Sequence, residues 1–301
     1  MPDRPARSLS RSFLALALAS ACAPAFADDA NVAAPDTGGK LLLTGGVTQL
    51  EGAGGGGLTP WALIGGYGTQ GQWGASAFYT RVNVGDYHLD DVGVLVSWND
   101  RIEFSLAQQR FNTEDVGAAL GLGQGFTFKQ DIVGLKVRLA GEAVLDSDRA
   151  MPQIAVGLQY KRNDQGALLG AIGAKDDAGL DLYLSATKLY LAQGILLNAT
   201  VRFTKANQIG ILGFGGDLHD NYRPQLELSA AYLLSRKLVV GAEYRTKPNN
   251  LGIAREDNWW DVFVAYAPTR HVSLTVAYAD LGNIVIRDNQ RGVYASVQVG
   301  F

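Results

Sequence analysis

The C-terminal stretch RGVYASVQVGF, residues 291–301, decides the fold class of this chain. From Val293 to Phe301 every second residue is apolar, and the residues between them are Tyr294, Ser296, Gln298 and Gly300. Side chains of a β-strand point alternately to its two faces, so a period of two residues indicates a strand. The stretch is therefore predicted to form a strand with one apolar face and one more polar face.

The same alternation recurs from Lys40 to the end of the chain. Most of the segments that show it have about 9–11 residues, the length that a tilted strand needs to cross a bilayer. The pattern predicts about fourteen strands, with a range of about twelve to sixteen because boundaries read from sequence are imprecise. They lie near residues 40–50, 61–69, 72–82, 87–98, 101–111, 126–140, 152–162, 179–188, 194–204, 223–234, 237–246, 258–267, 271–280 and 291–301.

The links between these strands alternate in length. Short turns fall at residues 69–72, 99–100, 189–193, 235–236 and 268–270, and longer links at 51–60, 112–125, 163–178, 205–222, 247–257 and 281–290. Two links depart from this rule, because 83–86 is short and 141–151 is long. Short turns on one side and long loops on the other are typical of outer-membrane barrels, with the turns on the periplasmic side.

The charges of the predicted strands separate a membrane barrel from a soluble one. One face is almost uninterruptedly apolar, and the other carries ionisable residues: Glu103, Lys136, Arg138, Lys161, Asp181, Arg202, Glu227, Glu243 and Arg245. In lipid a sheet must close, because the backbone groups of an open edge would lack hydrogen-bond partners. We therefore predict an all-β fold, a closed antiparallel transmembrane β-barrel with a hydrated lumen. A large soluble β-sandwich is the alternative.

The predicted lumen charges allow two interpretations. They can pair between neighbouring strands, which would only stabilise the wall. Alternatively, opposed acidic and basic arcs can select small solutes by charge, as rings of charge do in pores. The second interpretation makes these nine residues candidate selectivity residues.

Aromatic residues and the chain end fit the same prediction. Residues near strand ends, among them Trp73, Phe111 and Trp259, are predicted to form two girdles at the membrane interfaces. The barrel-assembly machinery reads a terminal strand that ends on an aromatic residue, so Phe301 is a predicted assembly signal. Outer-membrane lipid and this machinery are thus expected partners.

Residues 1–27 are predicted to be a cleaved signal peptide. Arg4, Arg7 and Arg11 precede a short apolar run, which Ala25-Phe26-Ala27 follows as a cleavage site. Cleavage would remove three arginines and one aspartate, leaving 23 basic and 28 acidic residues and a net charge of −5. This acidic balance argues against a nucleic-acid partner. The only cysteine, Cys22, lies in the leader, where lipidation is the less favoured alternative.

Residues 28–39 are predicted to be a short periplasmic segment, and residues 40–301 to form the barrel. Because so few residues precede the first predicted strand, no N-terminal hatch is expected. The run GAGGGG, residues 52–57, is predicted to be a flexible first extracellular loop. A second glycine cluster at residues 121–125 lies in a predicted loop that can fold into the lumen.

Catalytic and metal sites have weaker support. Asp86, His88, Asp90 and Asp91 lie together at a predicted extracellular rim, where Asp and His residues can activate water, so an outer-membrane hydrolase is one alternative. A solvated polar hairpin is the simpler interpretation. Asp217, His219 and Asp220 have side chains that bind divalent cations, although an ordinary acidic loop is favoured. No cofactor, metal or enzymatic activity is predicted.

The segment GGKLLLTGGVTQLEGAGGGGLTPWALIGGYGT, residues 38–69, resembles the opening of an uncharacterised proteobacterial outer-membrane family, a domain of unknown function. The likeness extends to Phe301. It implies an outer-membrane barrel and carries no activity or functional residues. The layout is also similar to porin-like barrels. We therefore predict a porin-like channel or transporter for small solutes, with the hydrolase and a structural or surface-interaction barrel as alternatives.

Overall fold

Twelve long antiparallel strands form one closed barrel in the computed structural model, which describes residues 39–43, 45–145 and 150–301. The predicted signal peptide lies outside these residues. The strands are β3 (Trp73–Val84), β4 (Tyr87–Trp98), β5 (Ile102–Asn112), β6 (Thr127–Ala140), β7 (Gln153–Asn163), β8 (Ala178–Tyr190), β9 (Ile195–Thr204), β10 (Arg223–Ser235), β11 (Leu238–Arg245), β12 (Trp259–Tyr266), β13 (Val272–Asp280) and β14 (Arg291–Gly300). Each pairs with its neighbours in sequence, and β14 pairs with β3 to close the sheet.

The two ends of the barrel differ in their connections. We call the end that contains Trp73, Phe301 and most of the short turns the turn end, and the opposite end the loop end. The links at the loop end carry two short helices, α1 (Glu114–Ala119) and α2 (Gly166–Ala171), and a 3₁₀ turn at Gln208–Gly210. Within the described residues no helix is long and apolar enough to cross a membrane.

The sequence prediction of a closed antiparallel barrel is confirmed, and the count of twelve lies within the predicted range. Every strand predicted from residue 72 onward is present, with bounds that differ by at most two residues. The strands predicted at 40–50 and 61–69 are wrong, since the barrel wall begins at Trp73. Among the described residues of their region, the only strands are the two-residue β1 (Val47–Thr48) and β2 (Gly54–Gly55), which pair with each other.

The outside of the barrel is a hydrocarbon-compatible surface. Along β13, Leu274, Val276 and Tyr278 are exposed, whereas Thr275 and Ala277 between them are buried in the lumen. The other strands show the same alternation, so apolar side chains face outward, as the sequence predicted. The protein is thus an outer-membrane type of transmembrane barrel.

The aromatic girdles are only partly as predicted. Trp73 is exposed at the turn end, but Phe111 and Trp259 point into the lumen and are buried. The prediction is wrong for these two residues because position along a strand does not fix which face a side chain occupies. Phe301 follows β14 with an exposed ring, and its function as an assembly signal stays a prediction.

Lysine in place of an outward apolar residue should destabilise the barrel in lipid. We expect Val276→Lys, in the middle of β13, to lower the free energy of unfolding by about 2–4 kcal/mol because the ammonium must enter hydrocarbon. The matched control is Leu218→Lys in the 205–222 link, since the two residues are 54% and 49% exposed. This control should change stability by less than about 0.5 kcal/mol. Equal losses in vesicle-bound protein, measured by urea unfolding, would contradict a lipid-facing surface at Val276.

Candidate functional site

The lumen of the barrel is occupied by a segment of the chain itself. Every residue from 47 to 66 is buried, and we call this stretch the inner segment. It enters and leaves at the turn end. On the entry side the Lys40 Nζ lies 2.7 Å from Asp100 Oδ1 and donates to the Ile64 carbonyl at 2.6 Å. On the exit side the Tyr67 amide donates to the Phe301 carbonyl at 2.8 Å.

This arrangement corrects two further predictions. The GAGGGG run, residues 52–57, is not an extracellular loop but lies buried at the turn of the inner segment. The expectation that the chain has no N-terminal hatch is also wrong, because it counted residues 40–50 and 61–69 as wall. Neither stretch contributes a strand to the wall, and residues 47–50 and 61–66 lie buried inside it.

Glycine is required where the inner segment turns on itself and meets the wall. A Cβ on Gly55 would lie 2.3 Å from the Thr59 carbonyl oxygen, which is far inside van der Waals contact. A Cβ on Gly56 would lie 1.9 Å from Glu243 Oε1. The glycine run therefore allows the backbone to pack directly against lumen side chains.

Two charged wall residues, Glu103 and Lys136, each hold two separate parts of the inner segment. The Glu103 carboxylate accepts from the Gly54 amide at 2.9 Å and from the Gly65 amide at 2.8 Å. The Lys136 Nζ donates to the Gly54 carbonyl at 2.7 Å and the Leu63 carbonyl at 2.8 Å. Glu103 and Lys136 also pair with each other at 3.1 Å. Their charges thus satisfy backbone groups that have no sheet partner.

Other wall side chains bind the inner segment in the same way. Glu243 accepts from the Leu58 amide at 2.7 Å and from the Thr59 hydroxyl at 2.6 Å. The Ala62 amide donates to Thr187 Oγ1 at 2.7 Å. The Ala62 carbonyl accepts from Gln153 Nε2 at 2.7 Å. Polar residues of the lumen therefore act as hydrogen-bond partners for an internal backbone.

Glu51, the one ionisable residue of the inner segment, lies in a buried cluster of six charges. Arg245 Nη1 lies 2.7 Å from Glu51 Oε2, Arg202 Nη2 lies 3.2 Å from the same oxygen, and Lys161 contacts Oε1. Asp181 and Glu227 complete the cluster from the wall. Burial raises the pKa of Glu51, but the three cations lower it more, so its pKa lies well below the ordinary value.

The loop end is closed by a second element, residues 206–216 of the β9–β10 link, which are all buried. Lys161 Nζ donates to the Ile209 carbonyl of this inward loop at 3.1 Å. The Gln208 amide donates to Glu256 at 2.8 Å, and Glu256 pairs with Lys247 at 3.1 Å. Burial lowers the pKa of Lys247 to about 8, although Glu256 opposes this shift. The glycines at 121–125, expected as a loop that can fold inward, lie largely at the surface.

Eight of the nine predicted lumen charges are buried inside the barrel. The exception is Arg138, which is partly exposed at the turn end and lies 2.7 Å from Asp100. Glu51 was missed, because it was assigned to the predicted loop at residues 51–60. Its signal in the sequence was a lone acid beside a glycine run. The structure does not test charge selectivity, which stays a proposal.

The residues of the hydrolase alternative do not converge. Asp91 points into the lumen and is buried, whereas His88 and Asp90 lie on the outer face of the same strand. His88 there contacts Glu114, and Asp90 pairs with Arg81 at 3.0 Å. Among the described residues no group of three His, Cys, Asp or Glu side chains is placed to hold a metal ion, and this applies to residues 217–220 as well.

Comparisons with known proteins identify a family and similar folds. The family described as "Protein of unknown function (DUF3034)" matches residues 44–298. The KdgM porin aligns with a TM-score of 0.48 and 12% identity, over 75% of this chain and 99% of that one. The NanC porin aligns with a TM-score of 0.46 and 10% identity, over 75% of this chain and 98% of that one. Outer membrane phospholipase A from Escherichia coli aligns with a TM-score of 0.42 and 12% identity, over 78% of this chain and 94% of that one. A comparison with curated proteins gives no match.

Loss of one partner of the Glu103–Lys136 pair should be far more costly than loss of a rim charge. We expect Lys136→Met to lower the free energy of unfolding by about 3–5 kcal/mol, because Glu103 stays buried without its cation. Arg138→Met, two residues along β6, removes a cation that is 23% exposed and should cost about 0–1 kcal/mol. Denaturant unfolding in one detergent checks both variants. Similar losses of unfolding free energy in the two variants would show that burial does not determine how much the Glu103–Lys136 pair contributes to stability.

Proposed function

The chain belongs to the DUF3034 family, and we propose that it is an outer-membrane channel for small solutes that its own inner segment and the inward loop of residues 206–216 close at rest. The observation that carries this proposal is a hollow wall filled by a separate stretch of chain. Inward positions of the wall include Gly134, Ala155, Gly157, Ser185 and Ala277, which leave a bore that residues 47–66 occupy.

The way in which the inner segment is held supports a movable plug. Its backbone binds wall groups such as Glu103, Lys136 and Glu243, all of which water can solvate when the segment leaves. A wall that served only as a static core would be filled more stably by apolar side chains, because buried ion pairs contribute little net stability. Both ends of the segment lie at the turn end, so it can withdraw in one direction without threading through the barrel.

The proposal is non-enzymatic. His88 and Asp90 lie on the face opposite to Asp91, so the rim residues cannot act on one water molecule together. The buried lumen charges hold the inner segment in the closed state and line the pore in the open state. They are Glu103, Lys136, Lys161, Asp181, Arg202, Glu227, Glu243 and Arg245. Arg138 lies at the turn-end mouth.

A reversible disulfide between the inner segment and the wall tests whether the segment gates the pore. A Cβ on Gly52 would lie 3.7 Å from the Ser105 Cβ, within the range of about 3.5–4.5 Å that a disulfide spans. We expect the oxidised Gly52→Cys/Ser105→Cys protein to be silent in planar bilayers, and the reduced protein to show the openings of the wild type. The single variants Gly52→Cys and Ser105→Cys control for the substitutions, including the strain of a side chain at Gly52, where φ is +89°.

Two outcomes contradict the proposal. If the oxidised pair conducts as well as the reduced pair, displacement of the inner segment is not needed for conduction. If the wild type stays silent at every voltage and solute concentration, the barrel is statically closed, and a structural or surface-binding function replaces the channel.

A further inference from the structure

The only charge of the inner segment is fully buried in the lumen. Between residues 47 and 66 the sequence contains no Lys, Arg or Asp, and Glu51 is its one acidic residue. The Glu51 side chain is completely buried, and the cations that surround it, Lys161, Arg202 and Arg245, are themselves buried wall residues. A lone acid in this position is a costly feature unless the wall already provides a site for it.

The cations form a site shaped for a carboxylate group. Arg245 contacts both oxygens of Glu51, with Nη1 2.7 Å from Oε2 and Nη2 3.1 Å from Oε1. Arg202 and Lys161 add one contact to each oxygen. This forked arrangement matches the planar pair of oxygens of a carboxylate.

Wall residues hold the site in shape independently of the inner segment. Glu227 Oε1 lies 2.6 Å from Arg202 Nε and 3.2 Å from Arg245 Nε. Asp181 Oδ2 lies 2.6 Å from Lys161 Nζ. Because these contacts use the Nε atoms of both arginines, both Nη atoms of Arg245 and Nη2 of Arg202 remain directed at the place of Glu51. The remaining Arg202 Nη1 donates to the wall residue Gln159 at 2.6 Å.

The charge balance of the cluster depends on Glu51. With it, three cations face three carboxylates. Without Glu51 the cluster consists of Lys161, Arg202 and Arg245 against Asp181 and Glu227, so withdrawal of the inner segment leaves this cluster with one positive charge in excess. Such an excess attracts an anion into the open lumen.

We propose that the place of the Glu51 carboxylate is a binding site for the carboxylate group of an anionic solute, which enters when the inner segment withdraws. Glu51 then acts as an internal competitor of that solute. The inference rests on the proposed function, because the solute reaches the site only through an open lumen. It specifies the solute class of the channel.

Chemical rescue of full-length Glu51→Ala by acetate tests the site. The substitution removes the carboxylate and leaves a cavity beside the three cations, so the melting temperature should fall. Acetate should restore it in a concentration-dependent manner, because a ligand that binds only the folded state stabilises it. Sodium chloride of the same ionic strength should not. Glu51→Gln is the matched control, since its neutral amide fills the cavity and leaves acetate no place to bind.

Two results overturn the inference. If acetate raises the melting temperature of Glu51→Ala no more than that of Glu51→Gln, the cations do not form a carboxylate site. If inorganic phosphate restores the stability of Glu51→Ala as well as acetate does, the cations form a general anion site without preference for planar carboxylates.

Solute flux separates this inference from the channel proposal. In liposomes containing the wild-type protein, glucuronate should enter faster than glucose of similar size, and Arg245→Gln should reduce this preference. If both sugars enter at equal rates, the channel proposal stands and the carboxylate preference fails. If neither enters while acetate still rescues Glu51→Ala, the site stands as a carboxylate site but not as part of a transport path, and the inference is overturned together with the channel.

Discussion

A polypeptide backbone inside a closed barrel cannot join the sheet of the wall, and the rest of this structure follows from that constraint. The short pair of β1 and β2 satisfies only part of the backbone of the inner segment. An unpaired buried amide or carbonyl costs about 1–3 kcal/mol, so each one along the inner segment needs a partner. The wall provides them through side chains such as Glu103, Lys136 and Glu243. The charged inner face of the barrel is thus first of all the hydrogen-bonding complement of residues 47–66.

The same constraint makes the closed state polar and therefore reversible in principle. Groups that bind the inner segment are also groups that water or a hydrophilic solute can bind, so neither state leaves charges without partners. In the cluster around Glu51 the three wall cations contact the Glu51 carboxylate in the closed state. In the proposed open state, water or the carboxylate of a solute takes the place of Glu51. At the loop end, the inward loop meets the same cluster through Lys161 and Ile209, so the two closing elements share one residue.

The sequence predicted the wall well and its contents poorly, for a physical reason. Alternation of two residues follows from the contrast between lipid and lumen, and it therefore located β3 to β14 and placed residues such as Lys136 and Arg202 inside. Residues 40–50 and 61–69 also mix apolar and small residues. Inside the barrel, Val47 and Trp61 of this segment pack in an apolar cluster with wall residues, and other parts of the segment meet polar groups. Periodicity alone does not distinguish a strand of the wall from a segment that lies inside the barrel. The cationic partners of Glu51 are more than 100 residues away in sequence, so no local pattern reveals them.

The central claim is that the inner segment moves independently of the wall. Hydrogen–deuterium exchange of the full-length protein in lipid, resolved by peptide, measures this directly, since a unit that opens locally exchanges without global unfolding. The account predicts that the amides of residues 47–66 exchange together and far faster than those of β3 to β14. Exchange of the inner segment as slow as that of the barrel strands would contradict it, because the segment would then be a permanent core.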